Sequence, residues 1–559
     1  MSLSLSGTNL RRSSPWWRPS SRFVLSALAG AGLVALPVLA LGWTALSPRA
    51  ASIWPHLAAN VIPAALADTA MLLLGVGLLC AAVGVGTAWL VTQYDFPGRR
   101  TFEWLLVLPL AIPTYITAYI YVDLLGFQGP FQSTLRALTG WRSLREYWFP
   151  DPRNLGGAIF VMGIVLYPYV YLSVRALFGL QSAAIVESAR TLGAARGRLF
   201  WRVGLPMARP ALAAGLTLAL LETLNDIGAT EYLGVRSLTL SIYTTWINRG
   251  SLAGAAQIAC VMLALVVLLI LAEARLRGQR RFSLSVRQPR AVGRVQLARR
   301  GGILAATACA LPILLGAVLP AGFLIVEVIE RDLLAKTDAA LLRNLATALT
   351  LSGLAAAIVV GLGLGIVAAR RGGREPWLPA AARIATLGYA VPGTVLALGL
   401  LVPLAAIDNA VANASVAWLG VNPGLLILGS GAALVIAYVV RFLSIAISGI
   451  ESGLSRISPR IDDAARVLGS SAPELLRQIH WPLARPAIAA AALLVFVDCL
   501  KELPATLLLR PLNLDTLATT VYGHASRGVF EDGALAALLI VLAGLYPAIM
   551  LARASGRPG

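Results

Sequence analysis

The chain has 559 residues, of which 58% are hydrophobic and only 13% are charged, and its formal net charge is +20. A soluble domain carries about 25% charged residues, so this composition, with apolar runs along the whole length, excludes a soluble globular protein and predicts a polytopic membrane protein. The arginines cluster between apolar runs, which is the pattern that orients membrane proteins and which argues against nucleic-acid binding.

The N-terminal segment contains four arginines before an apolar run that begins at Phe23 and ends at Trp43. A cleaved signal peptide is one interpretation of this pattern. The run is long for the apolar region of a signal peptide, however, and has the length of about 20 residues that a membrane span needs. We therefore predict a first span, with residues 1–22 as a cytoplasmic segment.

The hydropathy pattern predicts an all-α protein with about twelve transmembrane helices. The predicted spans are 23–45, 68–92, 103–126, 155–178, 208–226, 253–274, 302–327, 345–369, 380–403, 425–449, 484–503 and 533–553. With the N-terminus inside, the C-terminus is also cytoplasmic. Residues 275–300 then lie in the cytoplasm and contain nine arginines and no acidic residue. This bias agrees with the positive-inside rule, although four arginines in the outer segment 127–153 run against it.

The two halves of the chain repeat each other. Residues 189–214 and 465–490 are identical at twelve of twenty-six positions, at a constant offset of 276 residues, and LPLAIP (108–113) resembles LGYAVP (387–392). Each half holds six spans, an even number, so both halves have the same orientation and form a parallel repeat. We predict a first half at 23–274, an Arg-rich cytoplasmic linker at 275–301 and a second half at 302–553.

The repeated stretch falls in two long cytoplasmic loops, 181–209 and 457–485. Each loop predicts a short helix, a turn at Gly193 or Gly469, and a second amphipathic helix that ends at Pro206 or Pro482. A loop that only joins two spans is a few residues long, whereas these loops are about thirty residues long and occur at symmetric positions. Two copies of a docking helix predict two copies of a partner.

These loops resemble the EAA loop of permease subunits in bacterial ABC importers. The pattern is an acidic residue, a small residue, a glycine and then a proline; it is carried by Glu187, Ala189 and Gly193 and again by Asp463, Ala465 and Gly469. The second copy departs from it with Trp481 before Pro482, where leucine is expected. The resemblance implies a type I ABC importer permease fold. It also implies that these residues dock two copies of an ABC ATP-binding subunit.

The chain has no ATPase motif of its own. A P-loop requires a lysine between glycine and Ser or Thr, but Lys336 follows Ala335 and Lys501 follows Leu500, and no other lysine is present. We therefore expect no enzymatic activity and no cofactor bound by this chain, with ATP and Mg used by the partner subunit. The three histidines are scattered and the four cysteines lie in apolar runs, so neither set predicts a metal site.

Two polar triplets stand out at the ends of the fifth and eleventh spans. They are Glu222, Asn225 and Asp226, and, at the same offset of 276, Asp498, Lys501 and Glu502. The spacing places each triplet on one helix face. A charge at the bilayer centre costs about 2.5–3.5 kcal/mol, so these faces should meet protein or water. A helix counted from Pro210 places them well toward the outer face.

Two interpretations of the triplets stay open. In the structural one, Lys501 pairs with Asp498 or Glu502, and Glu222 pairs with an arginine such as Arg236. In the functional one, both triplets converge on the translocation path as a gate or a transient cation site, since hard metal ions prefer oxygen ligands. Lys501 argues against a pure metal cage.

The segments around the triplets narrow the resemblance. ETLNDIGATEYLG (222–234) and KELPATLLLRPLNLDTLATTVY (501–522) resemble the fused permeases of ferric-iron importers, a branch close to thiamine and aminoethylphosphonate permeases. The resemblance implies a bacterial inner-membrane protein that takes solute from a periplasmic binding protein docked on outer loops such as 127–153 and 228–252. An ion-coupled secondary transporter is the alternative of another class, but it has no need of the cytoplasmic docking loops.

Overall fold

The computed structural model describes residues 21–180, 196–277, 294–372, 375–455 and 457–554. Over these residues, eleven helices are long and apolar enough to cross a membrane. The bent pair Arg99–Ala111 and Thr114–Thr139, with an angle of 90° between its arms, makes up to twelve. The prediction of an all-α protein with about twelve spans is confirmed.

The helices of the first half are α1 Ser21–Ala45, α2 Pro48–His56, α3 Ile62–Gln93, α4 Arg99–Leu105, α5 Thr114–Leu125, α6 Pro130–Thr139, α7 Leu155–Leu180, α8 Arg196–Leu199, α9 Leu205–Asn225, α10 Ile227–Tyr232, α11 Leu238–Ile247 and α12 Leu252–Arg277. Those of the second half are α13 Arg299–Ile313, α14 Leu319–Glu330, α15 Ala339–Gly372, α16 Leu378–Thr386, α17 Gly393–Leu419, α18 Ala432–Leu454, α19 Pro459–Val467, α20 Ala472–Leu475, α21 Trp481–Leu500, α22 Pro504–Leu509, α23 Leu517–Ser526 and α24 Ala534–Ala554.

Four π-helical turns, at 57–61, 200–204, 314–318 and 476–480, each come just before a proline in the next α-helix. Proline has no N–H and its ring clashes with the carbonyl four residues earlier, and a wider turn relieves both problems without breaking the helix. Our prediction that the amphipathic helices end at Pro206 and Pro482 is therefore wrong. The chain passes through these prolines as continuous helix from each docking loop into α9 or α21.

The predicted third and ninth spans, 103–126 and 380–403, are both interrupted at the related hexapeptides. A 3₁₀ turn at 108–111 or 388–390 is followed by an extended residue, Ile112 or Val391, and then by a proline. The residue before a proline is pushed out of the helical region, which explains both breaks. New helices begin at Thr114 and Gly393, and the second of them, α17, extends well beyond the predicted end of its span.

The two halves exchange their first spans. Helix α1 packs against α15, α16 and α17 of the second half, whereas the seventh span packs against α3, α4, α5 and α7 of the first half. The last part of the predicted linker also contacts the first half, because β2 Val295–Gln296 pairs in parallel with β1 Tyr94–Asp95. The first span of each half therefore packs against the other half.

Two glycines show how closely the exchanged spans approach. A Cβ on Gly399 of α17 would collide with the carbonyl oxygen of Pro37 in α1. A Cβ on Gly316, in the seventh span, would lie 2.6 Å from the carbonyl oxygen of Ile164 in α7. Beside Gly316, the Tyr121 hydroxyl donates to the Leu315 carbonyl at 2.8 Å. These backbone contacts leave no space for a side chain.

We expect Gly316→Ala to destabilise the chain by about 1–3 kcal/mol, because the added methyl group forces the seventh span away from α7. The matched control is Gly322→Ala in α14, where the added Cβ meets no atom within 4 Å and alanine favours the helix by about 0.5–1 kcal/mol. Thermal unfolding of the purified chain in detergent measures both effects. Equal melting temperatures for the two variants would contradict the close approach.

Candidate translocation site and docking loop

All six residues of the two polar triplets line a single cavity between the halves. Its walls also include both helix breaks, through Pro113 and Thr114 on one side and Tyr389 on the other. The cavity measures about 80 Å³, which is room for a few water molecules. The repeat therefore brings together two polar faces that lie 276 residues apart in sequence.

The remaining walls follow the same symmetry. Val165 and Leu166 of α7 correspond, at the offset of 276, to Arg441 and Phe442 of α18, and all four line the cavity. These residues lie nearer the middle of their helices than either end. The cavity thus lies beside the middle of α7 and α18 and at the ends of α9 and α21, and the depth of the triplets well toward the outer face stays a prediction.

The third residue of each triplet caps a short helix. Asp226 accepts a hydrogen bond from the Ala229 N–H at 2.8 Å, at the start of α10, and another from the Thr114 hydroxyl. Glu502 accepts from the N–H groups of Ala505 and Thr506, each at 3.0 Å, at the start of α22. Carboxylates stabilise helix N-termini by satisfying unpaired N–H groups and by opposing the helix dipole. For these two residues the contacts support the structural interpretation.

The second residues of the two triplets, Asn225 and Lys501, have different kinds of partner. The Asn225 side-chain oxygen accepts from the Gly393 N–H and from Nη1 of Arg441, both at 2.7 Å. Both donors belong to the second half, so Asn225 joins the halves. In the other triplet, Nζ of Lys501 lies 2.8 Å from Oδ1 of Asp498, which is one of the two pairings predicted for it. That pair stays within one half.

Glu222 also joins the halves, because its carboxylate accepts from the Tyr389 hydroxyl at the second helix break. The predicted pairing of Glu222 with Arg236 is wrong. Arg236 is largely exposed and lies 3.5 Å from Asp68 instead, since it follows the short capped helix that turns the chain away from the cavity. Three hydrogen bonds thus cross the cavity, all donated by the second half to Glu222 or Asn225.

Arg441 is the cavity residue that the sequence analysis missed. It is buried, 4% exposed, and its Nη1 lies 3.9 Å from Oε1 of Glu502. The available signal was a lone arginine within the apolar run YVVRFL, and ionisable residues inside spans mark functional sites. With it, the cavity walls hold four carboxylates against two cationic side chains. In the part of the chain that the structure describes, no three His, Cys, Asp or Glu residues are arranged to hold a metal ion.

The second docking loop has the predicted short helix and the predicted turn at Gly469. Helix α19 carries Asp463 on an exposed face and Ala465 on a buried one. Gly469 then turns the chain with φ +90, a conformation that favours glycine, and no atom lies within 4 Å of the position of a Cβ there. The predicted docking residues of the first loop, Glu187, Ala189 and Gly193, lie outside the described residues.

The loop continues from this turn into a capped helix. Ser471 donates its backbone N–H at 2.7 Å and its hydroxyl at 2.8 Å to the Glu474 carboxylate, and these two bonds lower the pKa of that carboxyl. The charge of Glu474 therefore favours the start of α20, from which the chain passes through the π turn at 476–480 into α21.

Comparison with known proteins finds one family twice. Residues 74–280 and 361–557 each match the family described as the inner membrane component of binding-protein-dependent transport systems. The two matches fall in the two halves of the repeat, and each includes one docking loop and one polar triplet.

Three relatives are similar to different extents. The Fe(3+)-transport system permease protein FbpB 2 of Haemophilus influenzae is 25% identical over 87% of this chain and 89% of its own length. A probable ABC transporter permease of Sinorhizobium fredii, y4fN, is 26% identical over 88% of this chain and 86% of its own. The molybdenum transport system permease protein ModB of Escherichia coli is 26% identical over 34% of this chain and 81% of its own.

We expect Lys501→Met to destabilise the chain, because it leaves the Asp498 carboxylate in the cavity without its cation. The loss is about 1–3 kcal/mol at most, since both side chains keep some contact with cavity water. The double variant Lys501→Met/Asp498→Asn should recover most of the lost stability. Thermal unfolding in detergent compares the single and double variants, and Lys336→Met, at the chain's other lysine on the surface, is the control. No difference between the two single variants would contradict a stabilising pair.

Proposed function

The chain belongs to the family of inner-membrane components of binding-protein-dependent transport systems, and we propose that it moves ferric iron through a path between its two halves. It is the permease subunit of an ABC importer, a transport component and not an enzyme. The single observation that carries the proposed path is that both polar triplets line one cavity on the axis between the halves.

The family implies an ATP-binding subunit and a periplasmic solute-binding protein as partners. In our proposal, two copies of the ATP-binding subunit bind, one at each docking loop. These subunits use ATP and Mg, because this chain has no P-loop of its own. The solute-binding protein docks on outer loops that include 127–153 and 228–252. The protein spans the bacterial inner membrane, with both termini in the cytoplasm.

The three hydrogen bonds that cross the cavity form the proposed gate. They join Tyr389, Gly393 and Arg441 of the second half to Glu222 and Asn225 of the first. When the halves separate, these bonds break, whereas the Asp226 and Glu502 caps and the Lys501–Asp498 pair stay within their own halves. Alternating access needs such a set of contacts that differs between two global states.

The charge of the cavity supports a cationic solute. Its four carboxylates outnumber Arg441 and Lys501, and carboxylate oxygens suit a hard cation better than they suit an oxyanion. The positive charge of Fe(3+), which the name of the Haemophilus relative gives as its solute, fits this cavity. That relative is also similar over 87% of this chain, whereas the molybdenum permease of Escherichia coli is similar over only 34% of it. The same architecture carrying thiamine or aminoethylphosphonate is the alternative, and thiamine is the one that shares the positive charge.

We expect the reconstituted importer to hydrolyse ATP several times faster when its solute-binding protein carries ferric iron. The chain is co-expressed with the ATP-binding subunit and the solute-binding protein encoded beside it, and the ATPase rate is compared for ferric iron, molybdate, thiamine and aminoethylphosphonate. If a different solute alone stimulated the ATPase rate, the assignment of ferric iron would be wrong and the assignment as an ABC importer would stand. Failure to assemble with any ATP-binding subunit would remove the importer itself.

We expect Asn225→Leu to increase the population of the state with separated halves, because it removes two hydrogen bonds worth about 0.5–1.5 kcal/mol each. Distances between spin labels on the outer loops of the two halves report this population. The control is Asn344→Leu, which removes a 2.9 Å hydrogen bond to Thr520 inside the second half. The same distance distribution in both variants would mean that Asn225 does not hold the gate.

A further inference from the structure

A buried network of three side chains holds the second docking helix. Asp462, in the first turn of α19, is 4% exposed, and His480 is 5% exposed. Nε2 of His480 lies 2.9 Å from Oδ1 of Asp462, and Nη2 of Arg371 lies 3.3 Å from Oδ2 of the same carboxylate. Both carboxylate oxygens are therefore occupied, one by each partner.

The network joins the docking helix to the cytoplasmic ends of three spans. Arg371 is at the end of α15, and its guanidinium also donates to the carbonyls of Leu454, the last residue of α18, at 2.9 Å and of Ile457 at 3.2 Å. His480 is the last residue of the π turn that leads into α21. A movement of α19 thus acts on α15, α18 and α21 through one carboxylate.

The helix that begins at His480 ends at the translocation cavity. Helix α21 runs without a break from Trp481 to Leu500, and Asp498 in its last turn lines the cavity beside Lys501. From His480 to Asp498 is roughly 27 Å at 1.5 Å per residue. An α-helix transmits an axial displacement over this length, so a shift at His480 reaches Glu502 just beyond the end of α21. The Glu502 Oε1 lies 3.9 Å from Nη1 of the gate residue Arg441.

The first half has different chemistry at the equivalent positions. At the offset of 276, Val186 corresponds to Asp462 and Gly204 to His480. Gly204 packs against the Trp89 ring, which in turn contacts the rings of Phe178 and Phe200 with centroids 5.2 Å apart in each case. At the position of His480, the first half thus has an apolar contact in place of a partner for a carboxylate.

We propose that Asp462, His480 and Arg371 are positioning residues that couple the second docking helix to the gate. The inference rests on the proposed function, since it requires α19 to contact an ATP-binding subunit. Hydrogen bonds to charged groups are directional and strong, so α19, α15 and α21 move as one unit.

The test uses the complete importer in liposomes and measures solute transported per ATP hydrolysed. We expect His480→Ala and Arg371→Met to lower this ratio at least about fivefold, within the range of coupling energies between sites. Co-purification of the ATP-binding subunit and the basal ATPase rate should stay close to wild type. His480→Gln should restore most of the ratio, because its amide N–H can reach Asp462. The matched control is Arg370→Met, which removes the neighbouring exposed ion pair to Glu451 at 2.9 Å.

The outcomes separate the inference from the proposed function. A wild-type ratio in His480→Ala, or equal losses in His480→Ala and His480→Gln, would overturn the positioning role while leaving the importer intact. If Arg370→Met lowered the transport ratio as much as Arg371→Met, the positioning role would also be overturned. The effect would then come from any loss of positive charge at this surface and not from the Asp462–His480–Arg371 network. A wild-type chain that binds no ATP-binding subunit would instead overturn the proposed function.

Discussion

The structure depends on the requirement that backbone polar groups inside a membrane find partners within the protein. Continuous helices meet this requirement alone, but the breaks before Pro113 and Pro392 expose the first N–H groups of α5 and α17. The triplets lie against these breaks: Asn225 accepts from the Gly393 N–H, and Asp226 accepts from the Thr114 hydroxyl. Asn225 thus satisfies a backbone N–H at the second break, and Asp226 accepts from a side-chain hydroxyl at the first, so polar residues and helix breaks occur together in the cavity.

Fusion of the two halves into one chain allows symmetric positions to carry asymmetric chemistry. Val165 faces the cavity where Arg441 does in the other half, and Asn225 occupies the position equivalent to Lys501. A homodimer would place two arginines on the axis, where their charges would repel each other across a small cavity. A single arginine can donate across the axis to a neutral acceptor, and the three hydrogen bonds that cross the cavity are all donated by the second half.

The sequence was sufficient to predict the spans, the repeat and the second turn at Gly469, since these follow from local patterns of hydropathy and spacing. For Lys501 it gave two alternative partners, Asp498 and Glu502, of which the structure has the first. It was insufficient wherever a residue's partner lies in the other half. Nothing near Glu222 indicates Tyr389, and the apolar neighbours of Arg441 conceal its contact with Asn225. The two helix breaks coincide with a proline-containing hexapeptide that occurs in both halves. A hydropathy average does not detect them, because the residues on both sides are apolar and the average predicts one continuous span.

The exchange of first spans limits how the gate can open. Helix α1 is packed into the second half and the seventh span into the first, with backbone contacts at Gly399 and Gly316 that leave no space between helices. Separation of the halves at the cavity therefore has to preserve these two backbone contacts, because each exchanged helix ties one half to the other. Helix α19 lies at the end of α21 that is far from the cavity. A displacement of α19 therefore acts through α21 on the contact between Glu502 and Arg441.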